Sequence, residues 1–147
     1  MNLTPGAETL VQEARVARFA TVDERGRPHI VPVCFAFRDG VAYIALDAKP
    51  KRVPVTRLRR VRNLLANPEV QLLIDRYTDD WSRLAYVQLS GRATLIGPGP
   101  EHAEALVLLR ARYLQYLAMP LEKAPVIRID VHRTVAWGAS GGFGPGG

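Results

Sequence analysis

The chain contains a single cysteine, Cys34, in 147 residues. No intramolecular disulfide can form, and the apolar setting Val33-Cys34-Phe35 reads as a buried, inert thiol. Long apolar runs are also missing: nothing approaches the ~20 residues that span a bilayer. The stretch Met1-Asn2-Leu3-Thr4-Pro5 lacks the basic start and apolar core of a secretory signal, so the expectation is a cytoplasmic chain. Only three histidines occur, His29, His102 and His132, too scattered to suggest a metal site; for each, a satisfied or exposed imidazole is the default. Ser82, Ser90 and Ser140 lack a nucleophile-elbow setting, which leaves hydrolase chemistry without support. Gly97-Pro98-Gly99-Pro100-Glu101 lacks the third glycine and the βαβ context of a dinucleotide fingerprint and reads as a loop before a helix.

What is present is an ordinary globular composition, 48% apolar and 23% charged, long enough for one core. The expected organisation is a single domain over residues 1–140, followed by a flexible Gly-rich tail over 141–147. Thr4 as N-cap and Pro5 at the first position predict a short helix to Ala14. Strands follow over 18–23 and 28–37 with Glu24-Arg25-Gly26 as the turn, then Asp39-Gly40 as a hairpin dipeptide before a strand over 41–46. Thr56 caps a predicted helix to Ala66, and Asn67-Pro68 stops it. Strands over 70–75 and 84–89 come next, the latter continuing past Gly91 with a bulge or bend. Helical spacing over 100–116 and an alternating strand over 126–131 complete the set. About six strands in short antiparallel connections suit a small barrel better than a doubly wound sheet.

The formal charge of +6 favours anionic partners. Seven cations fall between positions 49 and 62 with no acid among them, which marks an anion-site candidate beside a helix start. Lys51, Arg52 and Arg57 are best placed, with Lys49 beside them; Arg59 and Arg62 read more readily as a solvated helix face. Trp81 and Trp137 offer flat surfaces that either stack on a ligand ring or cover a barrel end or a dimer contact.

Several blocks in order resemble the pyridoxamine-phosphate-oxidase-like family: Arg18 to Asp23, Gly26-Arg27-Pro28 and Val31-Pro32-Val33, then Lys49-Pro50-Lys51, Asn63-Leu64, Asn67-Pro68, Val70 to Asp75, and Val87 to Gly91-Arg92-Ala93. The likeness covers roughly residues 15–95 and is greatest to the small branch of flavin- or deazaflavin-dependent oxidoreductases. It implies a mainly β protein, a six-stranded antiparallel split barrel that dimerises and holds FMN, or alternatively a deazaflavin, in interfacial clefts. Lys51 would contact the phosphate, helped by Lys49, Arg52 and Arg57; Val31, Pro32 and Val33 would lie along the ring; Tyr86 would make a further cofactor contact. Tyr86 stands where the true oxidases carry a glutamine, and their C-terminal substrate-binding arginine and histidine segment is not recognisable, so vitamin B6 oxidation is not implied.

The functional expectation is therefore hydride transfer between the cofactor and a small organic substrate, with the ring supplying the redox chemistry. The alternatives are binding without turnover: nucleic acid along the basic helix, or carriage of a cofactor or haem.

Overall fold

The computed structural model describes residues 3–46 and 58–139. Three helices and seven strands make up the described chain. Helix α1 (Pro5–Glu13) starts as predicted, the Thr4 hydroxyl accepting the Ala7 N–H at 3.3 Å. Strands β1 (Ala17–Val22) and β2 (Pro28–Val33) form a hairpin in which Gly26 takes a φ of 81°. Strands β3 (Ala36–Arg38) and β4 (Val41–Ala45) form a second hairpin, with Asp39 and Gly40 both at positive φ as a mirror-image turn requires. The rest are α2 (Arg59–Ala66), β5 (Glu69–Arg76), β6 (Ala85–Ile96), α3 (Pro100–Arg112) and β7 (Val126–Gly138).

All ladders are antiparallel, and the sheet order is β2-β1-β5-β6-β7-β4-β3. The outermost strands, β2 and β3, are consecutive in sequence and separated only by Cys34 and Phe35. Three Cα–Cα steps reach about 11 Å at most, so the sheet must curl until its two edges nearly meet, although no ladder joins them among the described residues. The long strand expected over 28–37 is thus two, which makes the count seven rather than six. The break is held by Tyr113: its hydroxyl accepts the Phe35 N–H at 3.1 Å and lies within 3.1 Å of the Phe35 and Arg15 carbonyls. Arg112 lies over the Phe35 ring and donates to the Gln12 and Ala14 carbonyls.

Other boundaries also moved. Helix α2 begins after Leu58, which makes no side-chain cap; Thr56, the expected N-cap, lies outside the described residues. Helix α3 stops at Arg112 because Tyr113 turns extended, and a separate 3-10 turn, Leu114–Ala118, follows. Strand β7 runs on to Gly138, past the expected end at Val131, because a bulge lets it stay paired with β6: Ser90 faces Arg133 but Gly91 faces Val131, leaving His132 extra. Gly91 is required there, since a Cβ would stand 2.2 Å from the Asp130 carbonyl oxygen.

Side chains alternate between two cores. Inward residues such as Phe19, Leu72, Ile74, Leu89 and Ile129 fill the barrel, with Leu10 and Val11 of α1 and Val61 and Leu64 of α2. A second core forms outside it, where Leu106 and Leu109 of α3 pack with Tyr43, Ala45, Tyr113 and Leu121. Strand β4 is therefore buried on both faces. Cys34, expected buried, is half-buried at the edge of this outer core.

Candidate functional site

Helix α3 covers the outside of β3 and β4, but no helix core forms on the outside of β2, β1, β5 and β6 among the described residues. Strand register fixes what that bare face presents. Ile30 and Pro32 of β2 stand beside Ala20 and Arg18 of β1. Arg18 and Ala20 neighbour Leu73 and Gln71 of β5, which in turn lie beside Gln88 and Ser90 of β6. Gln88 then faces Val135 of β7, and Tyr86 faces Trp137. The face mixes apolar and polar groups: Ile30 is 61% and Trp137 47% exposed, while Arg18 and Asp75 pair at 3.8 Å and Gln71 donates to Ser90 at 2.9 Å.

The structure brings Tyr86 and Trp137 together, their rings stacked with centroids 5.9 Å apart. Trp81 sits on a 3-10 turn, Trp81–Arg83, ahead of β6 and is 69% exposed. Val31, Pro32 and Val33 divide between faces. Val33 joins the barrel core and Val31 packs against it, whereas Pro32 is exposed beside Ile30. A flat ring along β2 would meet backbone and these two outer side chains. Lys49, Lys51, Arg52 and Arg57 lie outside the described residues.

The described part of the basic run carries a feature the sequence did not flag. His29, paired with Thr21 across the hairpin, lies on the inner side of β2. The Thr21 hydroxyl accepts from buried Asn63 at 3.0 Å, which seats α2 on β1. The first turn of α2 then brings Arg59 and Arg60 close enough to His29 for their charges, after burial itself, to hold its pKa below the ordinary value. Both His29 Nδ1 and Arg60 Nε are buried without a hydrogen-bond partner among the described residues. Buried polar atoms are almost always paired, so two orphans, one on an imidazole and one on a guanidinium, mark a place for an anion. Beyond them, Arg27, Arg59 and Arg62 with Asp23, Glu24 and Asn63 line a polar cleft of about 280 Å³.

His29 therefore departs from the satisfied or exposed default. No signal in the sequence marked it, because its partners lie thirty residues away on a helix face that reads as solvated. The other two histidines keep that default: buried His102 bonds the Ala124 carbonyl at 2.7 Å, and exposed His132 meets Glu69 at 3.2 Å. Among the described residues, no three of His, Cys, Asp and Glu converge as a metal site, and no helix is long and apolar enough to cross a membrane.

Solved structures share this architecture. The heme storage protein HutZ from Vibrio cholerae superposes with a TM-score of 0.70 at 18% identity, over 93% of this chain and 94% of that one. An F420 reductase does so with 0.68 at 23%, over 90% and 98%. A heme-binding protein from Mycobacterium smegmatis gives 0.73 at 20%, over 96% of this chain but 57% of that one. At such identities the likeness is one of fold. No curated protein matches the sequence. The sequence pattern described as pyridoxamine 5'-phosphate oxidase, however, matches residues 3–138, which is nearly the whole chain, and with the curled antiparallel sheet it leads to one conclusion: the chain belongs to the pyridoxamine 5'-phosphate oxidase family.

Proposed function

We propose that this protein is an oxidoreductase that binds FMN, or alternatively a deazaflavin, in a cleft between two copies of the chain and passes hydride to or from a small organic substrate. The observation that carries this reading is the pair of orphaned buried atoms, His29 Nδ1 and Arg60 Nε, at the start of α2. They suit a phosphate end, assisted by Lys49, Lys51, Arg52 and Arg57 of the preceding segment.

The ring, when bound, supplies the hydride chemistry. The chain's own residues bind and orient it: β2 with Ile30 and Pro32 offers one wall, and the stacked Tyr86 and Trp137, with Trp81, offer aromatic surface. A second copy docked on the bare sheet face would bury Ile30 and Leu73 and close the cleft to water. Membership of the family and the fold shared with an F420 reductase support the reading.

A second reading is a carrier or scavenger of haem, favoured by the fold shared with the heme storage and heme-binding proteins. Visible absorption spectra during titration with FMN, a deazaflavin and haemin separate the two. Saturable uptake of a flavin or deazaflavin near one per chain supports the oxidoreductase. A haem Soret shift with no flavin uptake supports the carrier, and binding of none, with salt-steep affinity for duplex DNA, points to the basic helix as a nucleic-acid surface.

A further inference from the structure

His29 is unusual in what surrounds it. Among the described residues the charges acting on it are those of Arg59 and Arg60 on α2, and its cross-strand neighbour Thr21 is neutral and already accepts from Asn63. The hairpin carboxylate Asp23 is committed elsewhere, accepting the Arg25 and Arg27 amides and the Arg27 side chain. Glu24 and Arg62 line the adjoining cleft with Arg59. The imidazole thus faces two cations with its buried Nδ1 unbonded.

Resting on the reading that the start of α2 anchors an anion, we propose that this anion is taken up together with one proton from solvent, carried on Nδ1 of His29, so that His29 selects dianions over monoanions. In the free protein, burial and the two guanidinium groups disfavour imidazolium, so the ring is neutral near pH 7. A dianion seated among Arg59, Arg60 and His29 cancels the two guanidinium charges and places an anionic oxygen beside the ring. The imidazolium N–H then donates to the anion, satisfying the orphaned Nδ1 with a charge-assisted bond. A monoanion leaves one guanidinium charge uncancelled, which continues to disfavour the extra proton.

The linkage has a definite sign. A group whose pKa rises on binding strengthens binding as pH falls. Affinity for a dianion should climb about tenfold per pH unit as pH drops from the bound-state pKa of His29 to its free-state value, then level off. Above the bound-state pKa the proton-linked gain is gone and only the pH-independent affinity remains.

The test is an NMR pH titration of the His29 ring, assigned through His29→Asn, in the protein alone, with sulfate and with FMN. Sulfate remains a dianion throughout and contributes no proton of its own. The expected result is an upward shift of the His29 midpoint with both probes, and sulfate binding that is pH-dependent in the native protein but flat in His29→Asn. Should the asparagine variant fold poorly, Arg60→Gln serves: removing one cation should raise the free-protein midpoint. Saturable FMN binding with the midpoint unmoved overturns the proposal and leaves the flavin reading standing. A midpoint shifted by sulfate without any flavin or deazaflavin uptake supports proton-linked anion binding and overturns the flavin reading. If neither probe binds nor shifts the ring, both fall.

Discussion

The outside of the sheet is two surfaces with different jobs. Over β3, β4 and the first half of β7, α3 and the turns after it bury Tyr43, Ala45, Leu106, Leu109 and Tyr113 in a core of their own. Over β2, β1, β5 and β6, the same alternation leaves Ile30, Pro32, Leu73, Tyr86 and Trp137 with no helix above them among the described residues. The covered half obtains its stability within one chain. The bare half keeps apolar and aromatic groups at a cost in solvation that only a partner or a ligand recovers. Strand β7 passes between the two, and the bulge at His132 marks where it leaves β4 and stays with β6 alone.

That crossing point gives the largest expected effect. A methyl group at Gly91 must push into the Asp130 backbone and the Ile129 side chain, neither of which is a free surface group. Gly91→Ala should cost about 4 kcal/mol or more, enough to leave a domain of ordinary stability barely folded. Denaturant unfolding checks it. If the substitution is tolerated, the bulge is not fixed by close backbone approach.

Next in size comes a matched pair of truncations. Leu109 is fully buried on the inner face of α3, and Leu109→Ala should cost about 3 kcal/mol. Leu73→Ala, on the bare half, should change single-chain stability by only about 0.5 kcal/mol. Its effect should appear instead as weaker self-association in sedimentation at micromolar concentration. Equal losses of unfolding free energy from both would erase the distinction between the two halves.

The candidate site supplies a smaller effect. Arg60→Gln should weaken FMN binding about ten- to a hundredfold, the range for one charge-assisted hydrogen bond of about 1.5–3 kcal/mol. Stability should hold or rise slightly, because an unpaired buried guanidinium nitrogen is removed. Fluorescence titration and denaturation on the same sample read both. Unchanged affinity removes Arg60 from the phosphate end.

Much of the architecture was legible because local rules and the tertiary fold agree. Thr4-Pro5 capped α1, Asp39-Gly40 made its turn, and Gly91 marked a bulge, each from chemistry within a few residues. The failures share a cause. Residues 28–37 have the composition of one strand, and what breaks them at Cys34 and Phe35 is the need to cross between sheet edges, enforced by Tyr113 far along the chain. Around helix α2, charge count favours the cations before it and makes Arg59 and Arg62 look like a solvated face. Which arginine turns its Nε inward depends on how Asn63 seats the helix on Thr21, and no pattern within the helix encodes that. Tyr86 and Trp137 were each noticed, but their pairing follows from a register that the bulge sets.

The smallest effect tests the covered half through one of its buried phenols, Tyr43. The Tyr43 hydroxyl donates to Glu101 at 2.7 Å, and Arg128 binds the same carboxylate oxygen at 2.7 Å, tying α3 to β4 and β7. Burial, then the hydrogen bond to Glu101 and its charge, push the Tyr43 pKa up to about 12. The folded state therefore keeps a proton that the unfolded chain releases near pH 10, so the stabilisation is complete below that pH and is lost as pH rises towards 12. Tyr43→Phe should cost about 1 kcal/mol at pH 8, the usual net worth of one hydrogen bond, with Glu101 still paired to Arg128. The gap between native and variant should close and then change sign between pH 10 and 12, because other alkaline titrations act on both proteins alike. A gap that stays constant over that range would mean that the phenol contributes by packing alone, and that the covered half is held by its apolar core rather than by the Tyr43-Glu101-Arg128 tie.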